Sequence, residues 1–224
     1  MFLFKKNSLT LNEIKEKPFK LEKNLQEIAE NNLEKVYGLE FVCSEFAVWE
    51  FRIDTLAYDP ENKSFVIIEY KRDRSFSIVD QWYSYLALLL NNKAEFVLKY
   101  NEEFKSPIQK SDINWESSKV IFVANGFTSY QKNAINFKDL PIELWESRQF
   151  ENEIIPLEVK SGLNKNTKNL RSYEAKFKPK TIIRASPRNF DKQGNFINIP
   201  FTNQGKLLLL FTRGKCKGKN ANKC

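Results

Sequence analysis

Histidine is absent from the 224-residue chain. Its absence excludes Ser-His-Asp triads, Cys-His nucleophiles, HNH-type sites and histidine-ligated zinc. Acid–base chemistry near neutral pH must then come from carboxylates, lysine, tyrosine or metal-activated water. Glycine is also scarce, with seven residues, and none completes a GxxxxGK[ST] or GxGxxG phosphate cradle. The three cysteines, Cys43, Cys216 and Cys224, are odd in number, which argues against a disulfide framework, and without histidine they make at most an incomplete zinc site. The opening Met1 to Lys6 puts its lysines after a very short apolar run, the wrong order for a secretory leader. The longest aliphatic runs, near 86–90 and 207–211, fall far short of the roughly 20 residues of a membrane span. These absences lead us to expect a soluble, cytoplasmic protein with no membrane partner.

What is present suffices for one core. Apolar residues make up 42% of the chain and aromatics 14%, enough for a packed domain of about 150 residues. Charge is divided unevenly along it. Residues 1–160 carry 21 Lys+Arg and 26 Asp+Glu, a net of −5, whereas residues 161–224 carry 15 and 2, a net of +13. A mildly acidic core over 1–160 and a basic C-terminal extension over 161–224 are therefore expected, the extension suited to polyanions.

Pro18 precedes a helical pattern in which Leu21, Leu25, Ile28, Ala29, Leu33 and Val36 share one face, with Gly38 as its stop. Before it lies only a lead-in. The period then changes to two, predicting strands within 39–58, a turn at Asp59-Pro60-Glu61-Asn62 and a buried strand over 64–71. A helix over 78–90, strands over 95–100 and 119–124, a helix over 130–137 and strands near 142–145 and 154–159 complete the core. This alternation predicts an α/β fold, a sheet with helices packed on it. Beyond Gly162 a linker is expected, then short strands near 182–183, 196–199 and 207–211. The end, 213–224, is expected to be disordered unless bound, so that the extension is partly disordered.

Without histidine, a hydrolytic site is most readily built from carboxylates clustered with lysine, because two or three carboxylates hold a hard Mg²⁺ ion that activates water. Asp54, Glu69 and Lys71 form such a set. Glu-x-Lys occurs six times in the chain, but only Glu69-Tyr70-Lys71 directly follows a buried apolar strand. The strand period of two sends Glu69 and Lys71 out on the same side. Asp54 lies 15 residues earlier, on the strand expected to pair across the Asp59-Pro60 turn, which brings it beside Glu69. The alternative is a surface salt-bridge group at a strand end. Gln81 and Tyr85 stand at i and i+4 on the following helix, able to orient Lys71 or a phosphate. Glu22, at the rim of the first helix, is placed to reach the same cleft; its alternative is a solvated flanking glutamate.

Glu22, Asp54, Glu69-x-Lys71 and Gln81-x-x-x-Tyr85 together resemble the PD-(D/E)xK restriction-endonuclease-like superfamily, the last motif resembling its RecB-like branch. Arg52-Ile53-Asp54 with Val66-Ile67-Ile68-Glu69-Tyr70-Lys71-Arg72 is similar to the "IDL…VVELKR" pattern of NucS-type endonucleases. The likeness covers roughly residues 20–100; the proline of the superfamily's name is missing before Asp54. The chain also resembles a broad, uncharacterised bacterial group, over residues 119–160 as well. The resemblance implies a restriction-endonuclease-like mixed central sheet flanked by helices. It further implies Mg²⁺ or Mn²⁺ held by Asp54, Glu69 and the Tyr70 carbonyl, aided by Glu22, with Lys71 positioning or deprotonating the attacking water. Gln81, Tyr85, Arg52 and Arg72 would then contact the substrate, DNA.

The basic extension also carries Tyr173, Phe177, Phe190, Phe196, Phe201 and Phe211, suited to stacking on exposed bases, or else forming a small satellite core under solvated lysines. Three functions remain open: a metal-dependent deoxyribonuclease, a non-catalytic nucleic-acid-binding module on a degenerate nuclease fold, and an adaptor that binds neither nucleic acid nor metal. A homodimer is one assembly the sequence leaves open.

Overall fold

The computed structural model describes residues 2–72, 78–105, 107–135 and 140–150, with strands at 153–159, 182–186, 191–193, 196–200 and 208–211. The chain opens with a hairpin, β1 (Phe2–Asn7) and β2 (Thr10–Ile14), where the sequence suggests only a lead-in. Two helices follow, α1 (Glu22–Glu30) and α2 (Leu33–Tyr37), rather than the single long one expected. The break lies at Asn31 and Asn32, whose side-chain amides donate to the Glu27 and Ile28 carbonyls at 2.7 and 2.8 Å. These local bonds compete with helix continuation. Leu25, Ala29 and Leu33 are buried as their spacing predicts, whereas Leu21 and Ile28 remain exposed. Gly38 ends α2 in the left-handed region, φ 71°, which a residue without Cβ adopts at low cost.

The central sheet contains β3 (Glu40–Val48), β4 (Phe51–Asp59), β5 (Ser64–Lys71), β6 (Lys119–Ala124), β7 (Ile142–Phe150) and β8 (Glu153–Val159), side by side in that order. Strands β3, β4 and β5 run antiparallel, β5, β6 and β7 parallel, and β8 returns antiparallel. The fold is therefore a mixed α/β sheet flanked by helices: the alternation predicts an α/β sheet with packed helices, and the resemblance implies its mixed strand directions. α1 and α2 cover one face over Ala57, Val66, Ile68 and Val123. α3 (Ile78–Asn91) and α4 (Lys93–Glu103) cover the other, over Leu56, Phe65, Ile67 and Phe122.

α4 corrects the expectation of a strand over 95–100. Phe96, Val97 and Tyr100 are buried at the i, i+1, i+4 positions of a helix. Their aromatic and β-branched character suits a strand, and packing against β3 and β5 overrides it. The 130–137 helix begins one residue earlier as α5 (Ser129–Ala134), because Thr128 and Gln131 form a capping box. Among the described residues no helix is long and apolar enough to cross a membrane.

The expected extension over 161–224 lies outside the described residues except for its strands. β9 (Ile182–Ser186), β10 (Asp191–Gln193) and β11 (Phe196–Pro200) form a small sheet, and β12 (Leu208–Phe211) pairs in parallel with β1.

Candidate functional site

The β4–β5 hairpin is held at its closed end by Asp59, whose carboxylate accepts from the Glu61 and Asn62 N–H groups at 3.0 and 3.1 Å. Pairing then runs from Asp59 opposite Ser64 to Thr55 opposite Ile68, and stops there. Beyond that point side chains replace the backbone ladder. The Asp54 N–H donates to the Glu69 carboxylate at 3.2 Å, and the Tyr70 N–H donates to the Asp54 carboxylate at 3.0 Å.

A local irregularity of β3 and β4 lies beside this opening. Ile53 and Leu56 are three residues apart, yet both enter the core beneath α3 and α4. Strict alternation would send them to opposite faces, so the pleat is interrupted between them, although the pairing with β3 keeps one register from Leu56 to Phe51. Glu45 lies between the pairs Ser44–Thr55 and Phe46–Ile53 and has a left-handed backbone, φ 52°. Alternation from Leu56 places Asp54 on the face of Ile67 and Glu69.

The two carboxyl groups therefore meet in a site with little water. Glu69 is 1% exposed. Burial, followed by the Asp54 charge, pushes its pKa up to about 7 against the pull of Lys71, the Asp54 N–H and the Tyr85 hydroxyl. Asp54 is also raised, first by burial and then by Glu45, although the Tyr70 N–H, Lys71 and a side-chain hydrogen bond to Glu69 oppose the shift. Two carboxyls this close repel unless a proton or a cation lies between them. Lys71 Nζ stands 3.3 Å from Glu69 Oε2, with its side chain 20% exposed. Tyr85 donates its hydroxyl to Glu69; burial, then the Glu69 charge and this hydrogen bond, raise the Tyr85 pKa.

The remaining expected residues occupy the margin. Glu22 begins α1 and accepts the Arg72 N–H at 2.9 Å. Arg52 is ion-paired with Glu45 on the open surface. Gln81 sits one turn before Tyr85 on α3, with its side-chain oxygen buried and without a hydrogen-bond partner. Tyr70 turns its ring to the α1 face, where its hydroxyl lies 3.3 Å from that of Thr55. Among the described residues no group of three or more His, Cys, Asp or Glu side chains gathers as a metal cluster.

Comparison with known proteins adds a relative and several structures. No family model matches the chain. An uncharacterized protein of Haemophilus influenzae is 50% identical over 159 residues, 71% of this chain and 53% of its own. The chain thus spans about half the length of that curated relative. Among solved structures it is similar to an EndoMS complex with double-stranded DNA, at 20% identity and a TM-score of 0.40 over 58% of this chain and 47% of that one. It is also similar to a repair endonuclease from Pyrococcus abyssi, at 17% identity and a TM-score of 0.33 over 59% and 50%. Pyrococcus furiosus SfsA in complex with Ca²⁺ is similar at 17% identity and a TM-score of 0.35, over 63% and 65%.

Sequence reasoning missed four residues at the site. Gln26 donates to the Asp54 carbonyl at 3.0 Å, and Glu30 accepts the Thr55 hydroxyl at 2.5 Å. Both continue the i, i+4 spacing that Glu22 begins, a signal present in the sequence but easily taken for a solvated edge. Glu45 falls opposite Asp54, between the pairs Ser44–Thr55 and Phe46–Ile53, a cross-strand register that no local pattern predicts. Asn125, just past β6, donates to the Arg72 carbonyl at 3.4 Å across a parallel pairing that no local pattern predicts.

Proposed function

We propose that the chain is a divalent-metal-dependent nuclease that hydrolyses DNA phosphodiester bonds. The observation that carries this reading is the contact of Asp54 with Glu69 at the parted end of a hairpin, with Lys71 3.3 Å from Glu69. A structural ion pair does not need two mutually repelling carboxyls in a dry site, whereas a cation between them removes the repulsion.

The donors fit a small hard ion. Mg²⁺ is commonly bound through one or two carboxylates and keeps several of its waters, so it does not require a cluster of three acidic side chains. Asp54 and Glu69, with the Tyr70 carbonyl, would hold Mg²⁺ or Mn²⁺. The ion, when bound, supplies positive charge against the phosphate and makes water acidic enough to attack near neutral pH.

The chain's own groups do the remaining work. Lys71 orients the attacking water and balances charge developing on the phosphate. Tyr85 fixes Glu69 through its hydroxyl. Gln81, with an unsatisfied oxygen, and Arg72 stand where substrate would pass, and Arg52 would exchange Glu45 for a phosphate. DNA as the substrate rests on the likeness of these motifs to the PD-(D/E)xK superfamily. The net +13 of residues 161–224 supports sequence-independent, salt-sensitive affinity for it.

The test is cleavage of single- and double-stranded DNA with Mg²⁺ by the full chain, by Asp54→Ala and by Lys71→Ala, with circular dichroism confirming folding. Cleavage by the wild type alone supports the proposal. Binding without cleavage by all three proteins would leave a nucleic-acid-binding module instead.

A further inference from the structure

Helix α1 presents two adjoining edges to the sheet. At 100° per residue, Leu25 and Ala29 form one and enter the core, while Glu22, Gln26 and Glu30 form the other at successive turns. Each residue of the polar edge bonds β4 or the residue just past β5, near where those strands separate. Glu22 accepts the Arg72 N–H at 2.9 Å, just past the end of β5. The Gln26 amide donates both to the Asp54 carbonyl and to Glu30, each at 3.0 Å. Glu30 also accepts the Thr55 hydroxyl at 2.5 Å, and Thr55 continues to Tyr70 at 3.3 Å.

These bonds fall where the Thr55–Ile68 pair ends the backbone ladder, so beyond it β4 and β5 are joined through the Asp54 and Glu69 side chains and not by backbone-to-backbone hydrogen bonds. We propose that Glu22, Gln26 and Glu30 are positioning residues that set the spacing of the Asp54–Glu69 pair. Glu22 acts through the Arg72 backbone and Gln26 through the Asp54 backbone, so neither needs to touch a metal ion or substrate. The assignment rests on the metal-dependent reading above for its functional consequence, but the strand spacing itself can be tested separately.

The distinguishing substitution is Glu22→Gln, which keeps a carbonyl oxygen for the Arg72 N–H and removes the charge. Amide hydrogen exchange at Arg72 and Mn²⁺ binding are measured on the full chain for wild type, Glu22→Gln, Glu22→Ala and Asp54→Asn. We expect Arg72 exchange to quicken about tenfold in Glu22→Ala and to stay at the wild-type rate in Glu22→Gln. Mn²⁺ affinity should be unchanged in Glu22→Gln and lost in Asp54→Asn. Gln26→Leu, which removes both donors with little change of size, should quicken exchange at Asp54 and Tyr70 and weaken Mn²⁺ about tenfold.

Loss of Mn²⁺ in Glu22→Gln as complete as in Asp54→Asn would overturn the assignment and make Glu22 a ligand. Unchanged Arg72 exchange in Glu22→Ala would overturn it as well. If the wild type binds no Mn²⁺, the metal-dependent reading fails, while the exchange measurements still decide whether α1 holds the strands.

Discussion

The two ends of the β4–β5 hairpin each hold an aspartate that accepts backbone N–H groups, yet the two behave differently. Asp59, 6% exposed, accepts from two backbone N–H groups and from the Asn62 amide at 2.7 Å, so donors surround it. Asp54 accepts the Tyr70 N–H but also faces Glu69 and feels Glu45, and its pKa rises. Residue type and backbone bonding are shared. What separates a turn anchor from a candidate reactive carboxyl is whether its neighbours are mainly donors or other carboxyls.

The largest effect that would sharpen this comparison is on catalysis. Asp54→Ala or Lys71→Ala should lower Mg²⁺-dependent DNA cleavage by about a thousandfold or more, since several kcal/mol of transition-state stabilisation is removed. Asp59→Ala should leave the rate per folded molecule unchanged, as measured by initial rates at matched folded concentration.

Stability should respond in the opposite order. Asp59→Ala removes the acceptor shared by the Glu61 and Asn62 N–H groups and should cost about 1 kcal/mol in urea unfolding. Asp54→Asn relieves carboxyl repulsion, and in metal-free buffer at pH 7 it should gain about 1 kcal/mol. Equal losses at both positions would break the comparison.

The pH dependence follows from Glu69. Its pKa rises from 4.5 to about 7 on folding, so between those values the folded state binds more protons than the unfolded state. Stability of the metal-free protein should therefore fall as pH rises through this window, by an amount on the order of 2 kcal/mol. Glu69→Gln should flatten that slope in unfolding curves taken with a chelator. The smallest effect belongs to Gln81, whose side-chain oxygen has no hydrogen-bond partner. Gln81→Leu should change stability by less than about 1 kcal/mol while weakening DNA binding in a fluorescence titration.

Much of the architecture was legible because local chemistry and packing agree. The Asp59-Pro60 turn fixes the hairpin, the uninterrupted run Phe65 to Ile68 reads as a buried strand, and together they predict that Asp54 meets Glu69. Tertiary structure decided the rest. Asn31 and Asn32 divide the first helix through bonds that hydrophobic periodicity does not weigh. Phe96, Val97 and Tyr100 have strand-like character but pack as one face of α4. The opposition of Glu45 and Asp54 depends on the register of β3 against β4, and the reach of Asn125 to Arg72 depends on the parallel alignment of β5 with β6. At the site the sequence identified the residues that meet, while the polar edge of α1 behind them became visible only once Asp54 and Arg72 were seen to depart from the ladder.

The most direct test of the central claim is Mg²⁺ or Mn²⁺ binding by calorimetry on the wild type and Asp54→Ala, with circular dichroism as the folding control. The account predicts binding of roughly micromolar to millimolar strength that vanishes in the folded variant. Equal binding by both proteins, or binding by neither, would contradict a metal site built on Asp54 and Glu69.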